Sequence, residues 1–164
     1  YVGVVSDSRG KRLSSSDITP YENEAEDVTE VIDWISRQNW SDGRVGMYGG
    51  SYLGYTQWAA AKKLHPALKT IVPSVAVIPG QGLPMENNVQ LLANYAWTEF
   101  VSTGKYNHNG AYADYDWFQL YQEWFESGRS FSEFDQIVGK KNPWFQKWLK
   151  HHSVRLLTNA RLPV

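Results

Sequence analysis

The stretch Val45–Ala61, VGMYGGSYLGYTQWAAA, decides the fold. A short apolar run gives way to Gly49 and Gly50, then to Ser51, and the chain restarts at Tyr52 as an alanine-rich segment. Glycine weakens a strand or helix interior by roughly 0.5–1 kcal/mol relative to alanine, so two in succession mark a place where the backbone turns sharply or is closely approached. The pattern reads as a strand over VGMY, a tight turn at the serine, and a helix from about Tyr52 to Leu64. On this pattern alone Ser51 is either a side chain small enough for a strand–helix crossing or a hydroxyl presented for chemistry.

The flanking sequence extends the alternation. Val2–Val5 is an apolar, β-branched run that reads as a buried strand. SDSRGKRLSSSDITP follows as a polar loop, in which Asp7 and Arg9 read as a pair anchoring the loop. ENEAEDVTEVIDWISRQ then puts Ala25, Val28, Val31, Ile32 and Ile35 at helical spacing. Glu22, Glu24, Glu26 and Asp27 crowd its first turns, where the helix macrodipole favours negative charge. NWSDGR reads as a turn, and ALKTIVPSVAV after the serine helix reads as another buried strand. Strand, helix, strand, helix, strand is the signature of a parallel α/β sheet.

The composition changes at IPGQGLP. Beyond it NNVQLLANYAWTEFV, ADYDWFQLYQEWFES, SFSEFDQIV and NPWFQKWLKHH all read as helices, and Pro143 sits in the first turn of the last. Five of the eight tryptophans (Trp97, Trp117, Trp124, Trp144 and Trp148) fall in these segments, mostly as core of small helices. The expected organisation is an α/β part over residues 1–79, a helical part over 80–155, and a return toward the α/β part over 156–164. The chain starts in the apolar run YVGVV and stops at ARLPV, which resembles the start of a strand, so a piece of a longer protein is expected.

Composition removes several classes of function. The 164 residues are 42% hydrophobic and 20% charged, which fits a packed domain rather than a disordered chain. The net charge is −1 and no basic run exceeds two residues, so a nucleic-acid partner is not expected. With no cysteine there are no disulfides and no thiolate metal sites, and the redox compartment stays open. No apolar run approaches the roughly 20 residues of a membrane helix, so no membrane partner is expected. Localisation and oligomeric state are not legible.

A strand ending in Gly-Gly-Ser and turning directly into a helix has the layout of a nucleophile elbow, in which a serine occupies a strained backbone position and small neighbours let strand and helix pass closely. The first N–H groups of the helix point the same way, where an oxyanion can be stabilised. The general pattern has a small residue two positions after the serine; here that residue is Leu53, and the glycine follows at Gly54. DSRG (7–10) together with PYENEAEDVTEVIDWISRQNWSDGRVGMYGGSYLGYTQWAAA (20–61) closely resembles the cocaine esterase / X-prolyl dipeptidyl-peptidase / α-amino-acid ester hydrolase family. That family writes its elbow G-x-S-Y-x-G, matched by Gly49, Ser51, Tyr52 and Gly54. The resemblance is strong from Tyr1 to about Val77, weaker through the helices, and resumes at NPWFQKWLKHH. There the family's His-Pro reads His151-His152, and its Asp-x-Tyr-Trp is missing.

The resemblance implies a partial α/β-hydrolase parallel sheet with an inserted helical cap, and an acyl-transfer serine hydrolase acting on a small-molecule or short-peptide acyl substrate. It implies Ser51 as the nucleophile and the Tyr52 backbone N–H as one oxyanion donor. It places the second donor before Tyr1, and the catalytic Asp and His beyond Val164. It implies that Met85 and Trp97 line the acyl pocket. No cofactor and no metal are expected. His65 precedes Pro66 and reads as a helix end, and His108 lies in an NHNG loop. His151 and His152 are adjacent and do not share a helix face, so neither is assigned as base or ligand. Asp114 and Asp116 lack the glycine and glutamate of a calcium loop. The alternative function is a non-catalytic helical binding module in which the elbow is a relic.

Overall fold

The computed structural model describes residues 1–78, 83, 85–86, 89–107 and 110–150. The chain divides into two compact units, one within Tyr1–Pro79 and one within Gly80–Leu157. His108, His151, His152 and the segment 156–164 lie outside the described residues.

The first unit is built on the run of elements α1 (Glu24–Ser36), β1 (Val45–Gly50), α2 (Tyr52–Ala61) and β2 (Leu68–Ser74). β1 and β2 pair in parallel, from Val45 opposite Leu68 to Gly50 opposite Ser74, with one irregularity between Val45 and Gly46. Parallel neighbours need a crossover, and α2 supplies it. Ile32 of α1, Val45 of β1, Ala60 of α2 and Ala67 form the buried core, with Val28, Ile35, Met47 and Leu68 packed against it. Three of the positions read at helical spacing in α1 therefore face this core. The acidic first turn is present as Glu24, Glu26 and Asp27.

Two expectations are corrected here. Val2–Val5 is not a buried strand: it has no ladder partner among the described residues, and Val2, Val4 and Val5 are exposed. A β-branched run supplies the right side chains, but a strand is made by backbone pairing, and among the described residues β1 and β2 pair with each other. Asp7 and Arg9 do not pair with each other. Arg9 reaches across to α1, where its Nε donates to Asp27 Oδ2 at 3.1 Å and its Nη2 donates to Oδ1, while Asp7 lies 3.6 Å from Arg12.

The second unit begins with two short strands, β3 (Met85–Glu86) and β4 (Val89–Gln90), paired antiparallel. Helices α3 (Asn94–Ser102), α4 (Gly110–Ala113), α5 (Trp117–Ser127), α6 (Phe134–Val138) and α7 (Pro143–Lys150) follow, with a 3₁₀ turn at Phe131–Glu133. The expectation of helices alone is thus corrected: the helix read into NNVQLLANYAWTEFV starts at Asn94, because Val89 and Gln90 are spent on the ladder. Asp116 caps α5 by accepting the Gln119 N–H at 3.0 Å, which gives this aspartate a structural role.

The core of this unit is aromatic. Tyr95, Phe134 and Phe145 are fully buried, and Tyr95 meets both phenylalanines edge-on at 5.2 and 5.1 Å between ring centroids. A buried polar network ties α3 to α7. Asn142 Nδ2 donates to Thr98 Oγ1 at 2.9 Å, and Asn142 Oδ1 accepts the Phe145 N–H at 3.1 Å at the start of α7.

Candidate functional site

Ser51 stands between the last residue of β1 and the first of α2. Its backbone has φ 56° and ψ −122°, a region that an L-residue occupies only under strain, of roughly 1–3 kcal/mol. The surroundings hold it there from both sides. Its N–H donates to Ser74 O at 3.0 Å, which extends the β1–β2 ladder by one residue. Its carbonyl accepts from the N–H groups of Gly54 at 3.0 Å, Tyr55 at 3.1 Å and Val77 at 3.2 Å. The side chain is exposed and its hydroxyl caps no N–H of α2.

The small neighbours have specific reasons. Gly49 has φ 147°, and a Cβ there would lie 2.8 Å from Leu53 Cβ. At Gly54 a Cβ would lie 2.7 Å from Ala76 Cβ and 2.8 Å from its Cα, so α2 sits against the backbone that leaves β2. Gly50 is less demanding, because its Cβ would meet Ser74 O at 3.3 Å.

Two features of the site escape a reading by pattern. The first is Gln57, fully buried in α2. Its Nε2 donates to Gly49 O at 3.1 Å and Leu53 O at 2.9 Å, and its Oε1 accepts the Val72 N–H at 2.8 Å. One amide therefore fastens the end of β1, the first turn of α2 and the middle of β2. The available signal was a single amide in an otherwise apolar helix. The second is a group of rings and one carboxyl behind Tyr52. The Tyr52 hydroxyl donates to Glu24 Oε1 and accepts the Tyr21 N–H at 2.9 Å, and the Tyr55 hydroxyl donates to Tyr21 O at 2.9 Å. Burial raises the Glu24 carboxyl above its ordinary range, against the opposing hydrogen bond from Tyr52. Burial likewise pushes the hydroxyls of Tyr21, Tyr52 and Tyr55 well above the usual phenol range.

The other sequence candidates fall as follows. Met85 is buried in β3. Trp97, in α3, is half-buried and stacks on Trp148 with centroids 5.9 Å apart. His65 follows α2 rather than ending it; its Nδ1 accepts the Ala67 N–H at 3.2 Å and its Nε2 lies 3.7 Å from Asp33.

Comparison with known proteins matches this arrangement to relatives. Residues 1–162 match the model of the family described as X-Pro dipeptidyl-peptidase (S15 family). The chain is 36% identical over 113 residues to cocaine esterase of Rhodococcus sp. (strain MB1 Bresler), covering 63% of this chain and 19% of that protein. The crystal structure of SACOL2612, a CocE/NonD family hydrolase from Staphylococcus aureus, superposes with a TM-score of 0.53 at 25% identity, over 77% of this chain and 24% of that one. The chain thus spans about a fifth of that esterase and about a quarter of that hydrolase. The parallel β1–α2–β2 arrangement is part of an α/β-hydrolase-type fold. With the family match running over nearly all of its length, the chain belongs to the X-Pro dipeptidyl-peptidase (S15) family.

Proposed function

We propose that the full-length protein carrying this chain is a serine hydrolase that cleaves ester or X-Pro/acyl amide bonds through an acyl-serine intermediate. Ser51 Oγ attacks the substrate carbonyl carbon and a histidine outside this chain takes its proton, oriented by an aspartate also outside it. The carbonyl oxygen becomes an oxyanion, which the Tyr52 N–H stabilises at the start of α2. The C–O or C–N bond breaks, the alcohol or amine leaves with the proton, and water then hydrolyses the acyl-serine by the same steps. In this reading the helical unit is the cap, and Met85 and Trp97 contribute to the acyl pocket. The substrate is a small molecule or a short peptide, as in the esterases and peptidases of the family.

The observation that carries the reading is the backbone of Ser51, an exposed serine at φ 56° between a strand end and a helix start. The alternative of a helical binding module with a relic elbow has no observation in its favour. Turnover of p-nitrophenyl acetate and of an X-Pro p-nitroanilide by the full-length protein tests the proposal. Ser51→Ala is expected to lower kcat by about a million-fold, as loss of a serine nucleophile does elsewhere. The 164-residue chain alone, without the base, is expected to match Ser51→Ala. Turnover that survives Ser51→Ala contradicts the assignment.

A further inference from the structure

We propose that Glu24, acting through the Tyr52 hydroxyl, is a positioning residue that fixes the Ser51–Tyr52 peptide plane and so aims the Tyr52 N–H at the developing oxyanion. The proposal rests on Ser51 being the nucleophile.

A trans peptide is a rigid plane with its N–H opposite its C=O, so an N–H is aimed by whatever holds the two ends of the plane. The oxygen end is held by the three N–H groups of Gly54, Tyr55 and Val77. The other end is the Tyr52 Cα, held by the first turn of α2 and, through its side chain, by groups outside that helix. That side chain is gripped at its tip by Glu24 and the Tyr21 N–H, and along its ring by Tyr21 at 5.0 Å and Tyr55 at 5.5 Å between centroids. Glu24 is the first residue of α1 and lies 28 positions before Tyr52, so the grip ties the serine turn to a separate helix.

The carboxyl is half satisfied: Oε1 accepts from the Tyr52 hydroxyl and from the Tyr21 N–H at 3.3 Å. Its Oε2 is buried and finds no hydrogen-bond partner among the described residues. A buried polar atom left unpaired is destabilising. The favourable charge at the start of α1 is already supplied by Glu26 and Asp27. What Glu24 does supply is a second anchor on Tyr52, beside a residue whose strained backbone persists only if its surroundings over-determine it. Alignment of donors to within about half an ångström is what supporting residues provide in an oxyanion site.

An oxyanion contact exists in the transition state and not in the ground state, so its misalignment lowers kcat and spares KM. The test uses the full-length protein with a p-nitrophenyl ester, and a boronic acid as a mimic of the tetrahedral oxyanion. Tyr52→Phe and Glu24→Ala are expected to lower kcat about tenfold, below the hundred-fold or more expected for loss of a whole donor. KM should stay within about twofold, and the boronic acid should bind more weakly by the same factor as kcat falls. Glu24→Gln keeps an acceptor for the Tyr52 hydroxyl and is expected to recover most of the loss. Tyr52→Phe removes a single oxygen and decides the matter by itself if Glu24→Ala does not fold. An unchanged kcat in folded Tyr52→Phe, a loss confined to KM, or a Glu24→Gln as impaired as Glu24→Ala overturns the proposal. If turnover requires Ser51 but ignores Tyr52→Phe, only the positioning role falls. If turnover survives Ser51→Ala, the nucleophile reading falls and this inference with it.

Discussion

The two units of the chain reach order by opposite means. Beside its aliphatic core, the first is held around Ser51 by close approach of backbone to backbone. Gly49 and Gly54 leave room for Leu53 and for the backbone at Ala76, Ala60 lies in the core, and a buried amide, Gln57, bonds three backbone groups. The second is held by large side chains: Tyr95, Phe134 and Phe145 meet ring to edge, with Trp117, Tyr121, Trp124 and Phe131 around them. Close backbone approach fixes peptide groups to a fraction of an ångström, which suits a strained serine. Aromatic packing fills volume and tolerates small adjustments. The comparison teaches that the sensitive residues in the first unit are the smallest, and in the second the largest.

Substitutions can break that contrast. The largest effect is expected in the second unit, where Phe134→Ala removes a fully buried ring at the centre of the cluster and should cost about 3–5 kcal/mol in urea unfolding. A cost below about 1 kcal/mol would mean that the aromatic cluster is not what holds these helices together. Next is Gly54→Val, expected to destabilise by about 1–3 kcal/mol through overpacking against Ala76. Gly50→Val should cost less, since its nearest neighbour is Ser74 O at 3.3 Å. A Gly54→Val protein melting with wild type, or Gly50→Val melting below it, would contradict the picture of backbone contact at Gly54.

The smallest effect concerns Glu24 and sharpens the comparison, because it is a partly buried carboxyl in the unit whose serine turn depends on close backbone approach. Burial raises its folded pKa above the unfolded value of about 4.5. Ionisation therefore favours the unfolded chain, and wild type loses stability as pH rises from the unfolded pKa through the folded one. Glu24→Gln does not titrate there. The melting temperature of Glu24→Gln minus that of wild type should increase as pH rises from the unfolded pKa and level off once the folded carboxyl has ionised. A difference that stays flat, or falls, would show that Glu24 is not held above its ordinary range.

The strand–turn–helix at Ser51 was legible because its whole grammar is local: GGSYLG puts two glycines, the serine and a further glycine within six residues. The β1–α2–β2 alternation was legible because the apolar runs VGMY and ALKTIVPSVAV stand on either side of an alanine-rich segment. What escaped the sequence depends on partners far along the chain. Arg9 pairs with Asp27 instead of its near neighbour Asp7, and Tyr52 bonds Glu24 and the Tyr21 backbone, because helix α1 brings those groups there and no spacing rule records it. Glu24 was readable as a helix-start acid, and it is one, but its contact with Tyr52 is tertiary. Val2–Val5 carried the composition of a strand but has no ladder partner among the described residues, and Val89–Gln90 carried helical spacing that a two-residue ladder overrode.

The central claim is that the strained serine at the β1–α2 junction is a nucleophile. Treating the full-length protein with a fluorophosphonate and mapping the adduct by mass spectrometry tests it most directly. Trypsin cuts after Arg44 and Lys62, so Ser51 lies in the peptide Val45–Lys62. One phosphonyl group is expected on Ser51 of that peptide, absent from Ser51→Ala. An unmodified Val45–Lys62 peptide, or a label carried by a different serine while Ser51 stays free, would contradict it.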